Sequence, residues 1–247
     1  TEIYTLSLHD ALPIYQSQAP IGDAPASLGS IAKLDGNVAI RHSGEQRSMR
    51  VTDAVDVHVG DTLLTDSGAQ VALELENGAS LRVNSGSEVE LVAADRVMLK
   101  SGTVYFDSNG ETANGSFAVE TRLGSVRHVG TQFEASLVGS GLRIRVREGA
   151  VMFNSPTREL IASAGEVVHI DGAGAPQRDA ITDDDDEWRW AEDLAILPVA
   201  PEYSLPDVLA WISRETGRDV RFADAAVQAS VQTIAVAHLG NLIPEEN

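Results

Sequence analysis

The sequence predicts a mainly β protein: a stacked-sheet β-sandwich or short solenoid-like domain, followed by a small α/β subdomain. From residue 30 to 170, apolar and polar residues alternate with a period of two, and Gly, Asn or Asp interrupts the pattern about every eight to twelve residues, which is typical of all-β domains. A Gly-x-Val unit recurs in this region, and the strongest helical pattern of the chain follows it.

The first part of the chain is expected to lie outside the folded domain. Residues 1–14 look like the translation of sequencing-adapter DNA, so we expect the natural N-terminus to be missing. A genuine amphipathic segment is the alternative, although Pro13 interrupts it. We therefore expect residues 1–29 to be a disordered lead that packs on nothing.

Two hairpins anchor the β-domain, which we assign to residues 30–171. In the first, Asn77-Gly78 joins two alternating runs and is typical of a type I′ turn. In the second, a turn at Gly139-Ser140 would place Phe133, Ala135 and Leu137 opposite Val146, Ile144 and Leu142. The same register sets Glu134 opposite Arg145 on the other side, which we expect to face solvent.

The Gly-x-Val unit occurs at Gly36, Gly102 and Gly149, each time with a further apolar residue two positions after the valine. Its recurrence indicates similar strand-and-turn units that stack on one another. The spacing is too irregular for a true repeat array, and we favour stacked sheets over a closed barrel.

An acidic linker is predicted at residues 172–187, because five consecutive acids, Asp183–Glu187, follow a stretch rich in Gly and Ala. A calcium loop is the alternative, but these acids lack its alternating spacing and central glycine.

The α/β subdomain is assigned to residues 188–247. Its helix is predicted over residues 205–216, with Ser204 as N-cap and Gly217 at the C-terminus. Further elements are predicted in the order strand, turn, strand and helix start, at residues 219–222, 225–228, 231–237 and 241–246.

The charge and the motifs exclude several function classes. The chain has 37 Asp and Glu against 18 Lys and Arg, a formal net charge of −19, which would repel nucleic-acid phosphates. It has no cysteine and no apolar stretch of the roughly 18–20 residues that span a bilayer. Its six histidines lack metal-site spacing, and no nucleophile elbow, phosphate loop or dinucleotide fingerprint is present. We expect no catalytic residue, no cofactor and no enzyme activity.

Two charged patterns have a structural and a functional interpretation. Glu88 and Glu90 alternate along one strand, which is more often a solvated strand face than a pair of catalytic carboxylates. Arg143, Arg145 and Arg147 form a basic stripe that either pairs with neighbours such as Glu134 or meets an acidic partner. We favour the structural interpretation for both.

A set of short motifs, in this order, resembles the FecR-type periplasmic regulator domains over about residues 30–170. The motifs are Gly36-Asn-Val38, Val59-Gly-Asp-Thr-Leu-Leu-Thr65, Val71–Val83, Leu99–Phe106, Phe117-Ala-Val-Glu-Thr121, Val129-Gly-Thr-Gln-Phe133, Val146–Val151 and Gly165-Glu166. Fold-specifying roles at turns and buried strands are expected for Gly36, Gly60, Asp61, Gly78, Gly102, Thr121, Gly130, Thr131, Phe133 and Gly149.

The tail carries a second resemblance. The motif Leu205-Pro-Asp-Val-Leu-x-Trp-Ile through Gly217-Arg-Asp-Val220 is similar to the short N-terminal domain of secretins and TonB-dependent receptors. That module continues with a second helix and a last strand, so we expect the subdomain to be incomplete here.

The resemblance to FecR-type domains implies a periplasmic regulator that couples a TonB-dependent outer-membrane transducer to an extracytoplasmic-function sigma factor, controlling iron or other nutrient uptake. It also implies an upstream membrane helix and an upstream sigma-binding segment, both expected to be missing here. A stand-alone cell-envelope binding or scaffolding module is the alternative. We expect the transducer's signalling domain to contact solvent-facing residues in and beside the tail helix: Arg214, Glu215, Arg218 and Arg221. Leu209 and Ile212 are expected to be structural.

Overall fold

The computed structural model describes residues 26–109, 117–197 and 204–231. The lead up to residue 25, most of the strand predicted at 231–237 and the helix start predicted at 241–246 lie outside these residues. Ser27–Gly29, expected to belong to the disordered lead, are the start of the first strand, and Gly29 pairs with Leu75.

The chain is mainly β, as predicted, with only short helices near its C-terminal end. Within the described residues the strands, numbered in chain order, are β1 Ser27–Asp35, β2 Val38–Arg41, β3 Met49–Arg50, β4 Asp56–His58, β5 Thr62–Thr65, β6 Gln70–Leu75, β7 Ser80–Val83, β8 Glu88–Ala93, β9 Arg96–Asp107, β10 Ala118–Thr121, β11 Gly124–Val138, β12 Gly141–Ser155, β13 Arg158–Ser163, β14 Glu166–Ile170 and β15 Pro176–Ala180. The helical elements are a 3₁₀ turn Asp186–Trp188, α1 Arg189–Asp193, α2 Leu205–Thr216 and α3 Ala225–Val231.

All of these strands belong to one hydrogen-bonded network, which divides into two rows. We call the row β3-β2-β5-β8-β9-β10-β11-β12-β13 the first sheet. The row β4-β1-β6-β7-β9-β11-β12-β14-β15 is the second sheet. The long strands β9, β11 and β12 give one half to each sheet. Apolar residues from both sheets form a single buried cluster, so the two sheets stack on a common core.

Glycines with positive φ mark where strands pass from one sheet to the other. Gly102 in β9 has φ +83° and Gly149 in β12 has φ +73°, and a Cβ at Gly149 would lie 2.2 Å from the carbonyl oxygen of Gly130. Gly36, with φ +75°, separates β1 of the second sheet from β2 of the first. The recurring Gly-x-Val unit is therefore the sheet-crossing point of the fold.

Other fold-specifying residues fix turns. Asp61 is buried and accepts hydrogen bonds from the His58 backbone N–H at 2.9 Å and from the His42 ring at 3.0 Å. The Thr121 hydroxyl donates to the Gly124 carbonyl at 2.8 Å and accepts from the Leu123 N–H, closing the turn between β10 and β11. In both turns a polar side chain forms hydrogen bonds with backbone groups that have no backbone partner in the turn.

The first hairpin has the predicted strands but a different turn. Leu73, Leu75, Leu81 and Val83 all lie in the core, and Leu73 pairs with Leu81 and Val71 with Val83. A two-residue turn at Asn77-Gly78 would instead set Leu73 opposite Arg82, so the register differs by one residue. Only Gly78 of the turn has positive φ, and the Gly78 N–H donates to the Leu75 carbonyl. A type I′ turn needs positive φ at two residues, so the connection is a three-residue loop that ends in a left-handed glycine.

The second hairpin has the predicted register. Phe133 pairs with Val146, Ala135 with Ile144 and Leu137 with Leu142, and all but Leu137 are fully buried. Phe133 belongs to the buried core, with its ring centroid 5.9 Å from that of Phe106.

The residues expected to form an exposed linker include a strand of the second sheet. β15 pairs with β14 along its whole length, from Pro176 opposite Ile170 to Ala180 opposite Glu166. The prediction missed this strand because its residues, Pro-Gln-Arg-Asp-Ala, are polar and carry no apolar alternation.

The tail helix α2 has the predicted caps. The Ser204 hydroxyl and the Asp207 carboxylate form a reciprocal capping box, and Gly217 ends the helix with φ +64°. The strand predicted at 219–222 is absent, and residues 225–228, predicted as a turn, begin α3. Asp224 explains α3, because its carboxylate accepts from the N–H groups of Ala226 and Val227 as an N-cap does.

Replacing Gly149 tests the crossing points. We expect Gly149→Ala to lower the free energy of unfolding by about 1–3 kcal/mol more than Gly68→Ala, because its methyl group would overlap backbone atoms. Gly68 is the control, since its φ is +79° and a Cβ added there would have no atom within 4 Å. Urea titrations measure both values, and equal losses would show that the crossing is not sterically constrained.

Candidate functional site

The outward side of the second sheet is charged yet buried. Arg82, Tyr105, Glu134 and Arg145 follow one another across β7, β9, β11 and β12 as cross-strand neighbours. Asp107 and Arg147 lie beside this row. These six residues, which we call the charged face, are each at most 6% exposed. Alternation predicts that side chains opposite the core face water, so another part of the chain must cover them.

The cover is the part of the chain from Asp183 onward, which we call the tail. Trp188, which is fully buried, packs with Tyr105 and Ala191 in a second apolar cluster. The Tyr105 ring makes T-shaped contacts with the rings of Trp188 and Trp190, at centroid distances of 6.0 and 6.4 Å. The tail is therefore packed on the β-domain through Trp188 and Trp190.

Glu134 and Arg145 form an ion pair at the centre of the charged face. Arg145 Nε donates to Glu134 Oε1 at 3.0 Å, and a second Arg145 nitrogen donates to the other carboxylate oxygen. The predicted cross-strand pairing is confirmed, but the expected solvent exposure is wrong: Glu134 is 0% and Arg145 2% exposed. The reason is the tail, whose Glu187 also accepts from Arg145, at 2.6 Å.

Two arginines of the basic stripe, Arg145 and Arg147, bind the tail. The centroid of the Trp188 ring lies 4.5 Å from the guanidinium carbon of Arg145 and 5.4 Å from that of Arg147. Both distances are within the range of cation–π attraction. Arg147 also donates to Glu192 at 2.7 Å, and Trp190 Nε1 donates to Glu134 at 3.0 Å. The structural interpretation of the stripe is correct, with partners on the tail as well as in the hairpin.

A second charged group joins α2 to the sheet. Arg82 donates to both carboxylate oxygens of Glu215, at 2.8 and 3.0 Å, and Arg214 donates to Asp107 and to Glu148. Glu215 is 2% exposed. The prediction that Arg214 and Glu215 are solvent-facing contact residues is therefore wrong for Glu215, and most of the Arg214 side chain is covered.

The two remaining candidates do lie at the surface. Arg218 and Arg221 are exposed beyond the C-terminus of α2, and Arg221 lies 3.7 Å from Asp219. On α2 itself the deeply buried apolar residue is Val208, whereas Leu209 is half-buried and Ile212 is 36% exposed. Ile212 therefore contributes less to packing than expected.

Burial and charge shift the two carboxylates of this group in opposite directions. Burial would raise the pKa of Asp107, but hydrogen bonds and charge from Arg214 outweigh it and hold that pKa below its ordinary range. Burial raises the pKa of Glu215, and the attraction of Arg82 offsets this only in part. Arg82 loses solvation on burial, yet the Glu215 carboxylate keeps its pKa raised, so the arginine stays charged. Glu215 is the carboxylate that takes up a proton first.

The alternating carboxylates of β8 have a basic neighbour on β9. Glu88 and Glu90 lie near Lys100, with Nζ 2.7 Å from Glu90 and 3.7 Å from Glu88. No group of three or more metal-binding side chains occurs within 26–109, 117–197 and 204–231. Over the same ranges, no helix is both long and apolar enough to cross a membrane.

Comparison with known proteins adds a family match. Residues 61–152 match the family model described as FecR protein. The match includes all the fold-specifying residues except Gly36 and Gly60, and it runs from the start of β5 into the second half of β12. The FecR resemblance of this segment is confirmed, whereas the comparisons give no support for the resemblance of the tail to the short N-terminal domain of secretins. No curated protein matches the chain.

Two crystal structures, each described as that of "a putative anti-sigma factor from Parabacteroides distasonis ATCC 8503", also resemble the chain. They share 17% and 18% sequence identity with it, each with a TM-score of 0.45. The alignments cover 64% and 66% of this chain and 76% and 80% of those chains.

Removal of Arg145 should be costly. We expect Arg145→Ala to lower the free energy of unfolding by about 3–5 kcal/mol, because it leaves the Glu134 carboxylate buried and without its main partner. Arg178→Ala is the matched control: Arg178 pairs with Glu166 but is 44% exposed, so its loss should cost at most about 1 kcal/mol. Similar losses in urea titrations would show that the tail does not bury the pair.

Glu215 should give the stability a distinct pH dependence. Its pKa in the folded chain is raised above the ordinary 4.5, so its contribution is most favourable below that value and is lost as pH rises through the folded-state pKa. The free energy of unfolding of the wild type minus that of Glu215→Gln should therefore fall as pH rises from about 4.5 and then level off. Urea titrations across this range measure the difference, and one that rises with pH would contradict the assigned direction.

Proposed function

We propose that this chain is the periplasmic part of a FecR-type signalling regulator, which relays the state of a TonB-dependent outer-membrane transducer to an extracytoplasmic-function sigma factor. The observation that carries the proposal is the FecR family match over residues 61–152, which form the centre of both sheets. In this proposal the sigma factor is reached through a segment upstream of the β-domain, beyond a membrane helix, and the regulated genes serve iron or other nutrient uptake.

The tail supports a relay of this kind. Arg218 and Arg221 are exposed cations just beyond α2, and an acidic surface of the transducer could pair with them. Arg214 and Glu215, which precede these two arginines by three to seven residues, bind Asp107 and Arg82 of the charged face. A partner that pulls on the end of α2 would therefore act on ion pairs that hold the tail to the β-domain.

A calorimetric titration tests the proposed contact. The full chain is titrated with the periplasmic signalling domain of a TonB-dependent transducer from the same organism, and we expect saturable binding. Arg218→Ala with Arg221→Ala should weaken it roughly fivefold, as loss of charges at an interface rim does.

The matched control removes two exposed arginines elsewhere, with Arg96→Ala and Arg158→Ala. This variant should bind like the wild type. Absence of binding by the wild type would contradict a transducer partner, and equal weakening in both double variants would place the contact away from α2.

A further inference from the structure

The charged face holds a short acidic and aromatic segment, Asp183–Asp193, through side chains. Arginines donate to backbone carbonyls at three points along it: Arg147 to Asp183, Arg145 to Glu187 at 3.1 Å and Arg82 to Ala191 at 2.8 Å. No strand pairing links the segment to a sheet in the described part of the chain. The backbone N–H of Trp188 instead bonds within the segment, to Asp185. These contacts come from side chains of the sheet and need no strand pairing, so a separate peptide of the same chemistry can make them.

The side chains of the segment match the face in charge and shape. Glu187 and Glu192 bind Arg145 and Arg147 at 2.6 and 2.7 Å. Trp188 fills the space between these arginines and Tyr105, where it is fully buried. A buried tryptophan surrounded by charged contacts is typical of the residues that dominate binding energy at protein interfaces.

The face also has hydrogen-bonding capacity that the segment leaves unused. Tyr105 Oη, Arg147 Nε and Arg147 Nη1 are buried and make no hydrogen bond with any described residue. Buried donors of this kind are unfavourable, and a peptide that brought further carboxylates or carbonyls to them would gain energy. The segment therefore occupies the site but leaves polar atoms of Tyr105 and Arg147 without a hydrogen-bond partner among the described residues.

We propose that the charged face is a recognition site for acidic, tryptophan-bearing peptide segments of a partner protein, and that Asp183–Asp193 occupies it in cis. A partner that presents such a segment binds after the chain's own segment leaves. The tethered segment competes at an effective concentration that is typically in the millimolar range, so the site is closed to weak ligands. This site differs from the transducer contact proposed above, which lies at Arg218 and Arg221, and its test uses no transducer.

A peptide with the sequence of residues 181–195, carrying a fluorescent label, tests the proposal by anisotropy on full-length chains. We expect weak binding to the wild type and at least roughly tenfold tighter binding to a Trp188→Ala chain, whose own segment competes less. A milder chain, Glu187→Gln with Glu192→Gln, keeps the buried tryptophan and should also bind more tightly than the wild type. A peptide with both tryptophans replaced by alanine should bind neither chain.

A second substitution locates the binding site. Adding Arg145→Gln to the milder chain should weaken binding roughly tenfold or more, because it removes a contact to both the acid and the indole. Adding Arg178→Gln, at an exposed arginine on β15, is the control and should change nothing. The proposal is overturned if neither the Trp188→Ala chain nor the Glu187→Gln, Glu192→Gln chain binds the peptide more tightly than the wild type. It is also overturned if binding survives Arg145→Gln undiminished.

Discussion

The buried ion pair between Glu134 and Arg145 explains why the outer side of the second sheet must be covered. An ion pair removed from water is costly unless its remaining hydrogen-bonding atoms find partners. Here the tail supplies them, through the Glu187 carboxylate and carbonyl for Arg145 and the Trp190 N–H for Glu134. If the tail leaves, Glu134 and Arg145 become exposed to water. The charged face is therefore buried only while the tail covers it.

The interface between tail and sheet differs from the core beneath it. The core contains aliphatic and aromatic residues from both sheets, whereas the outer interface combines tryptophans with arginines and carboxylates. Such polar interfaces resemble those between proteins that associate and separate more than those inside a domain. Replacing a buried ion pair by apolar residues is often neutral or stabilising, so stability alone does not explain why this face is charged. The proposed exchange of the chain's own segment for a partner peptide does explain it, because such an exchange requires a contact whose groups can return to water.

The sequence predicted well those features that depend on residues close in the chain. The register of Phe133 against Val146 follows from alternation across one turn, and the caps of α2 follow from Ser204 and Gly217. The sheet-crossing role of Gly102 and Gly149 was only suggested by their repetition, because a crossing depends on which strands lie on each side. The burial of Glu215 could not be predicted, since its partner Arg82 lies 133 residues away. One signal was available: all three tryptophans lie in the tail, and three arginines alternate on one strand, which together indicate a docking contact.

A double-mutant cycle between Arg145 and Trp188 tests most directly whether the sheet's arginines hold the tail. The free energies of unfolding of the wild type, Arg145→Ala, Trp188→Ala and the double variant are measured by urea titration. The account predicts that the two losses are strongly non-additive, with a coupling energy of about 1–3 kcal/mol, as expected for residues in direct contact. Losses that add within about 0.5 kcal/mol would mean that the two residues act independently, and that the tail is not held by the charged face.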